Sequence, residues 1–568
     1  MYPHRTFHFL EPFKGKLYDG DIPTLAEIFQ IASARYPDKK CLTTYNPDKF
    51  VLTFREAREK IMILAASLVA NGVKPGDRVI LTGKNRPEWA VAYYAIATAG
   101  AIIVPLDYTL HEDELKNLID FSEPVAALVD KEKYDLAKTM LPEGAPYYSL
   151  DPNKDNYVLA LENPPLEKPV KREVNDLVAI LYTSGTTGIP KGVMLSNSNI
   201  VNDCFLAQMN MQIYHTDVFY ALLPVHHAYT MLSVLVVGLA QSAEVVFAKR
   251  LVVKELLKDL KDGQITIFLG VPMLFNKLIT NIMKGIRDKG IVVYGIVRFL
   301  MFISGILKKC GIKVGKKIFG KMVLDKANLS SIRICISGGG PLPSSTFRMF
   351  NQLGLDFVQG YGLTETSPIV TLNPIYHFKV KSVGLVLPEI QVKIINPDKE
   401  GRGEIALKGP TVMQGYYKNP SATDAVMDLN GYFYTGDMGY LDKENFLYLT
   451  GRKKNIIVTA GGKNVFPEEI EDRFQLYPEI EQILVRGFHM DAKKKTQDIG
   501  ELIEALIYPS EELRNSGDPD GIQKKMEEIV TNVNRQLSSY MKIARVRVVD
   551  QPFEESSTKK IKRYKVNA

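Results

Sequence analysis

The sequence predicts an α/β protein in which helix-covered sheets come first, a β-rich stretch follows and a smaller α+β region ends the chain. Three observations predict it. At 568 residues the chain is too long for one core, because single cores stop growing near ~250–300 residues. Between residues 25 and 130, apolar runs at helical spacing alternate with short buried runs, the pattern of parallel strands covered by helices. After about residue 387 short runs are separated by Gly, Asp and Asn, the pattern of antiparallel strands.

The elements follow in order. Residues 52–71 are apolar at helical spacing, and RVILT at 78–82 is a strand after the turn Lys74-Pro75-Gly76-Asp77. Residues 89–99 read as an apolar helix and AIIVPL at 101–106 as a buried strand. VAILY at 178–182 is a strand, with further candidates at 221–223, 244–248, 265–268 and 332–337. The β-rich stretch offers strands at 391–396, 403–408, 431–435 and 446–450. Beyond it a helix is expected at 467–476, a strand at 501–508 and a helix at 522–537. The domain boundary is placed at 451–455, and no internal repeat is found.

Composition narrows the function. Hydrophobic content of 46% and charged content of 24% are those of an ordinary globular protein. Four scattered cysteines with no CxxC spacing give neither a disulfide framework nor a zinc site. A reducing, cytoplasmic compartment is expected. The first residues lack the apolar run of a signal peptide. No stretch is read as spanning a bilayer: residues 231–247 are broken by Gly238, Gln241, Ser242 and Glu244, and 291–307 is short and carries Arg298. The net charge of +7 suits polyanionic small molecules or an anionic membrane face. No nucleic-acid motif appears, and the lysine clusters lack interleaved aromatics, so no nucleic-acid partner is expected.

The strand at 178–182 runs into Thr183-Ser184-Gly185-Thr186-Thr187-Gly188 and then Ile189-Pro190-Lys191-Gly192. Small residues let a backbone curl around an anion, successive N–H groups form a concavity for it, and Lys191 adds charge. The Walker A spacing fails, because Pro190 stands where its second glycine belongs. Composition alone leaves two readings open, a surface loop and a phosphate cradle.

YTSGTTGIPKGVMLS resembles the signature loop of the adenylate-forming superfamily of acyl-CoA synthetases, luciferases and peptide-synthetase adenylation domains. Other segments agree in the family's order across nearly the whole chain. The resemblance implies that Thr183, Ser184, Gly185, Thr186, Thr187, Gly188 and Lys191 hold ATP phosphates. It places Gly338, Gly339 and Gly340 against adenine, with Tyr361 stacked on the base and Gly362 beside it. Thr364 donates to the α-phosphate and Glu365 holds Mg²⁺, which takes hard oxygen ligands. Asp437, in Tyr434-Thr435-Gly436-Asp437, accepts from the ribose, and Arg452 contacts it too. His227, in Leu223-Pro224-Val225-His226-His227, aligns with a histidine near the acyl carboxylate; a structural histidine is the other reading. Gly461, Gly462 and Lys463 form the CoA-side segment, where Gly462 lets the pantetheine arm pass. Lys560, in Lys559-Lys560-Ile561-Lys562-Arg563, aligns with the catalytic lysine, and Lys454 with a hinge.

The implied architecture is a large N-terminal domain (1–452) of helix-covered sheets with a small β-barrel-like subdomain, plus a smaller mobile α+β C-terminal domain (453–568). The substrates and cofactors implied are ATP, Mg²⁺, coenzyme A and a carboxylic acid; an acyl carrier protein is the alternative acceptor, and an aryl acid the alternative substrate. Residues 291–307 are mostly apolar, and a basic run follows them to Lys317. Insertions of this kind are similar to those of long-chain fatty acyl-CoA synthetases. Two readings are open: peripheral contact of 291–317 with an anionic membrane, on the inner face of a cell membrane, or a buried helix with a solvated lysine turn.

A carboxylate is a poor electrophile because its leaving group would be oxide. Transfer to AMP supplies a good leaving group, and a lysine beside the α-phosphate stabilises the charge that crowds there. A thiol then displaces AMP without needing that lysine. Lys560→Ala is therefore expected to lower acid-dependent pyrophosphate exchange by on the order of 10²–10³ and largely to spare thiol attack on supplied acyl-adenylate. Equal loss of both half-reactions would contradict the assignment.

Overall fold

The computed structural model describes residues 8–183, 191–249, 252–459, 463–489, 501–555 and 561–566. Among them the strands form two large sheets and two small ones. The seven-stranded sheet runs Gly415–Tyr416, Lys191–Ser196, Leu177–Thr183, Ile102–Leu106, Arg78–Thr82, Ala126–Val129, Tyr147–Ser149. Its centre is parallel, and Leu177–Thr183 folds back antiparallel onto Lys191–Ser196.

The thirteen-stranded sheet joins both textures read in the sequence. At one end Asp356–Gly362, Ile334–Ser337, Ile267–Gly270, Val218–Ala221 and Glu244–Phe247 lie parallel. At the other end Ile369–Leu372, Gly384–Val386, Phe446–Arg452, Phe433–Leu441, Gly403–Lys408 and Gln391–Ile395 continue it antiparallel. The β-rich stretch is thus hydrogen-bonded onto the parallel sheet through Asp356–Gly362.

Local chemistry sets the helix starts. Thr24 and Thr53 each cap a helix reciprocally with Glu27 and Glu56, which satisfies N–H groups that a helix start leaves unpaired. Helix Pro87–Thr98 is wholly buried, and Trp89, Tyr93 and Tyr94 fill the space between the sheets. Residues 231–247 form a buried helical segment that turns into strand Glu244–Phe247.

Several expectations change. Helix Pro467–Glu471 stops before 476, because the Glu471 carboxylate is drawn to the Val485 N–H (2.6 Å) and to Arg563. The strand expected at 431–435 extends as Phe433–Leu441 through Gly436, whose φ of +69° lies in the left-handed region that favours glycine. The largest change concerns residues 291–307. They belong to a helix, Ile291–Lys309, that is long and apolar enough to cross a membrane by length and composition, whereas the sequence reading judged the stretch too short. It is not a buried helix either: Val297, Met301 and Ser304 are its buried residues.

Residues 457–548 carry their own hydrophobic cluster around Ile470, Phe474, Val485, Ile507, Met526 and Val530. It is built on the sheet Ile480–Phe488, Leu502–Pro509, Arg545–Val548 and the helix Pro519–Asn534. Gln475 bridges it to the rest of the molecule, donating to the Pro341 carbonyl and accepting from Asn276, both at 3.2 Å.

Asn85 joins the two large sheets. Its amide donates to the carbonyls of Ala221 and Leu223, each at 2.8 Å, and its oxygen accepts from Val225 N–H at 3.0 Å. It therefore fixes the chain just before His226-His227. Asn85→Ala leaves the Leu223 carbonyl and the Val225 N–H without their partner, while the Ala221 carbonyl keeps the Ala248 N–H at 3.1 Å, and is expected to lower stability by ~2–4 kcal/mol, read as a shift of the urea midpoint at unchanged m-value.

Candidate active site

The phosphate-loop candidate is the tip of a hairpin. Thr183 and Lys191 pair directly across it. Ser184, Gly185, Thr186, Thr187 and Gly188 lie outside the described residues. Lys191 Nζ sits 4.7 Å from the centre of the Tyr416 ring, a cation–π contact. The Tyr416 hydroxyl donates to Glu365 Oε1 at 3.0 Å, and burial followed by the Glu365 charge raises its pKa, which keeps it a donor. One tyrosine thus links the loop lysine to the carboxylate expected to hold a metal. Tyr416 was not identified in the sequence. It has no distinctive local pattern, and only the pairing of the short strand Gly415–Tyr416 with Lys191–Ser196 brings it here.

Glu365 is carried on the short turn Thr364–Thr366. Buried Thr366 fixes that turn, donating to the Leu363 and Pro368 carbonyls and accepting from Leu363 N–H. Gly362 is required sterically, because a Cβ there would lie 1.6 Å from the Pro368 carbonyl oxygen. The Glu365 carbonyl accepts from Met413 N–H at 2.9 Å. Thr364 and Glu365 are half-buried on this braced turn.

Four residues upstream, Tyr361 donates its hydroxyl to Asp437 Oδ2 at 2.7 Å. Asp437 Oδ1 lies 2.9 Å from Arg452 Nε, and the two residues face each other across their strands. Burial and the neighbouring carboxylate raise the Tyr361 pKa well above the usual phenol range. The Asp437 charge raises that of Arg452. Tyr361, Asp437 and Arg452 therefore form one cluster, with the tip of the tyrosine ring held by its hydroxyl.

Gly338 follows strand Ile334–Ser337, and a Cβ there would lie 2.9–3.1 Å from the Tyr229 ring. The Tyr229 hydroxyl donates to the Ile336 carbonyl at 3.2 Å. Gly339 is exposed with φ +80°, and Gly340 packs near Pro272. Tyr229 thus joins the His226-His227 segment to the glycine turn, a link with no separate signal in the sequence.

His226 is buried and His227 half-buried, with ring centres 4.3 Å apart. His226 Nε2 lies 3.4 Å from Asp107 Oδ2. Asp107 Oδ1 accepts from the Thr109 N–H and hydroxyl at 2.9 and 2.7 Å. Burial opposes ionisation of Asp107, but His226 and the Thr109 bonds outweigh it and hold the carboxyl well below its usual range. Asp107 was missed in the sequence; a polar residue directly after the buried run AIIVPL was the available signal.

The C-terminal candidates are spread more widely. Lys454 lies in the turn Lys453–Asn455, where Lys453 pairs with Glu404 at 2.6 Å. Lys463 is exposed beside hairpin strand Asn464–Val465, while Gly461 and Gly462 lie outside the described residues. Lys560 also lies outside them. Its neighbours are anchored: Arg563 bonds Glu471 and the Val485 carbonyl, and Lys562 pairs with Glu554.

The chain matches the family model "AMP-binding enzyme" over residues 29–417 and belongs to that family. It is 28% identical over 521 residues to a long-chain-fatty-acid–CoA ligase of Bacillus subtilis (strain 168), covering 83% of this chain and 85% of the relative. It is 27% identical over 613 residues to a chloroplastic long-chain-fatty-acid–[acyl-carrier-protein] ligase of Arabidopsis thaliana, covering 93% and 82%. ATP-bound MatB from Rhodopseudomonas palustris shares its fold with a TM-score of 0.75 at 25% identity, covering 95% of this chain and 98% of that one. The class is that of adenylate-forming acyl- and aryl-CoA ligases, which use ATP, Mg²⁺ and CoA.

Glu365 fits the Mg²⁺ of that class. It is a half-buried hard oxygen donor whose Oε1 is oriented by Tyr416 and whose backbone is held by Met413. Outer partners of this kind tune metal affinity by ~10–100-fold. Tyr416→Phe keeps the ring under Lys191 and removes the donor. It is expected to raise the Mg²⁺ concentration for half-maximal pyrophosphate release by roughly tenfold, with the fold unchanged by circular dichroism.

Proposed function

We propose that this protein activates a medium- to long-chain fatty acid as its adenylate and passes the acyl group to the thiol of CoA. The observation that carries the reading is one run of contacts: Lys191, Tyr416 and Glu365 on one side, and Tyr361, Asp437 and Arg452 on the other, joined by the Gly362–Thr366 turn. Cationic groups, an oxygen donor and an aromatic face recur there in the order that a nucleoside triphosphate presents phosphates, ribose and base.

In the first half-reaction the acid's carboxylate attacks the α-phosphorus, the bond to the β-phosphate oxygen breaks and pyrophosphate leaves. Lys191 and the Thr183–Gly188 loop grip the departing β- and γ-phosphates. Thr364 donates to an α-phosphate oxygen, and Lys560 stabilises the charge on the pentacoordinate phosphorus. Glu365 would hold the Mg²⁺, whose chemistry is neutralisation of phosphate charge. Asp437 and Arg452 orient the ribose, and Gly338–Gly340 with Tyr361 sandwich the base. His227 lines the acyl carboxylate's approach, with Asp107 behind His226 fixing that segment.

In the second half-reaction the thiol sulfur attacks the acyl carbonyl, the carbon–oxygen bond to AMP breaks and AMP leaves. The thiol proton passes to solvent. Residues 453–568 turn about Lys454 between the two steps, exchanging the Lys560 segment for Gly461-Gly462-Lys463; a short polar linker suits such a hinge. The resemblance to a Bacillus subtilis long-chain ligase supports the acid class. The Arabidopsis relative supports a carrier-protein thiol as the alternative acceptor. The enzyme works in the cytoplasm, and residues 291–317 are where its substrate meets a membrane.

Pyrophosphate release is measured across acids from acetate to long-chain and aryl acids, with CoA or acyl carrier protein as acceptor. The reading predicts the highest kcat/KM for long-chain acids with CoA, and AMP rather than ADP as product. Acid-independent hydrolysis, or preference for aryl acids, would overturn it.

A further inference from the structure

The helix Ile291–Lys309 has two unlike faces. Val297, Met301 and Ser304 are buried and fall at i, i+4 and i+7, one stripe against the core. The opposite face points away from the protein: Val292 is 71% exposed, Ile296 55%, Phe299 63% and Phe302 57%. Of the 21 exposed large apolar side chains among the described residues, nine lie between Ile291 and Met322. A concentration of that kind marks an interaction surface, where single scattered residues would mark nothing.

The charge beside it has one sign. Residues 289–324 hold eight Lys and Arg and no Asp or Glu. Asp356 engages Lys308 and Lys313, each at 2.8 Å. Arg298, Lys309, Lys317 and Lys321 are exposed. An apolar stripe flanked by exposed cations matches acyl chains flanked by anionic headgroups.

A spanning orientation does not fit. One face of the helix lies in the protein core, and Lys308 is fixed by Asn351 at 2.7 Å and the Leu355 carbonyl at 3.0 Å. Crossing a bilayer would strip these contacts and carry Lys308 through hydrocarbon.

We propose that the helix Ile291–Lys309 lies flat in the interfacial layer of an anionic bilayer, with Ile296, Phe299 and Phe302 among the acyl chains and Lys309, Lys317 and Lys321 at the headgroups. The purpose of this docking rests on the long-chain acid reading, since such acids partition into bilayers; the docking itself does not. Rigid elements connect this face to the site. Helices Pro272–Arg287 and Ser344–Gln352 both pack on Ile291–Lys309. The first begins at Pro272, beside Gly340, and the second begins four residues after Gly340. Both neighbours of the docked helix therefore start at the glycine turn expected to face adenine.

The test is flotation of the full-length protein with vesicles of phosphatidylglycerol and phosphatidylcholine, and with phosphatidylcholine alone. Wild type is expected to float with the anionic vesicles at low salt and to release as salt screens the attraction. Phe299→Ser/Phe302→Ser, both at exposed positions, is expected to weaken partitioning by roughly tenfold or more. Lys317→Glu/Lys321→Glu is expected to weaken it comparably at low salt and to lessen its salt dependence. Wild type remaining soluble with anionic vesicles at low salt, or the phenylalanine variant binding as wild type, would overturn the proposal. So would a wild-type dimer that this variant dissociates in the absence of vesicle binding, which would assign the face to a second copy of the chain. Vesicle binding with no turnover of long-chain acids would leave the docking standing and remove the substrate reading; the reverse result would remove only the docking.

Discussion

The arrangement around Asp437 is the constraint on which the candidate site depends. Its side chain is 8% exposed and needs partners, because a buried carboxylate without them is costly. Tyr361 supplies a hydroxyl and Arg452 a guanidinium, one to each oxygen. The three residues stand on three strands of one sheet. The antiparallel end of that sheet carries Asp437 and Arg452, and the strand that begins its parallel part carries Tyr361. The ladder holds those strands in register, so the phenol oxygen, carboxylate and guanidinium are set before any nucleotide arrives. This is preorganisation of the kind that lets fixed dipoles and charges act without rearranging.

Around that fixed point the molecule combines rigid and adjustable parts. Asn85 ties the two large sheets together beside the histidine segment, and Tyr229 ties that segment to the glycine turn. Tyr416 reaches from the seven-stranded sheet to Glu365, on the turn between the central strands Asp356–Gly362 and Ile369–Leu372 of the other. Residues 457–548 keep a hydrophobic cluster of their own and meet the larger part near Gln475, Asn276 and Pro341. Helix Pro467–Glu471 also packs on strand Phe446–Arg452, so the alternation proposed for this unit has to break that packing as well. Its C-terminal segment is held to its own core through Arg563 and Glu471, so the Lys560 segment would move with it.

Much of this was legible in the sequence, and the exceptions have physical causes. Strands Arg78–Thr82 and Gly403–Lys408 match their expected bounds because turn residues flank both. The motif residues Lys191, Tyr361, Glu365, Asp437 and Arg452 are picked out by the resemblance of their segments to the family's motifs, taken in the family's order. Tyr416 and Asp107 were not, because each acts through a partner more than fifty residues away and neither sits in a distinctive local pattern. The end of helix Pro467–Glu471 was misjudged for the same reason: distant Val485 and Arg563 engage Glu471. The exposure of Ile291–Lys309 could not be read from periodicity, since an apolar helix gives the same pattern against a core or facing outward.

The central claim is that the acid's carboxylate attacks the α-phosphorus of ATP at this site. The most direct measurement uses a fatty acid labelled with ¹⁸O in its carboxylate, ATP, Mg²⁺ and CoA, followed by mass spectrometry of the products. The account predicts one ¹⁸O atom in AMP, none in pyrophosphate, and one acyl thioester for each AMP formed. Label recovered in inorganic phosphate with ADP as co-product, or unlabelled AMP, would contradict it.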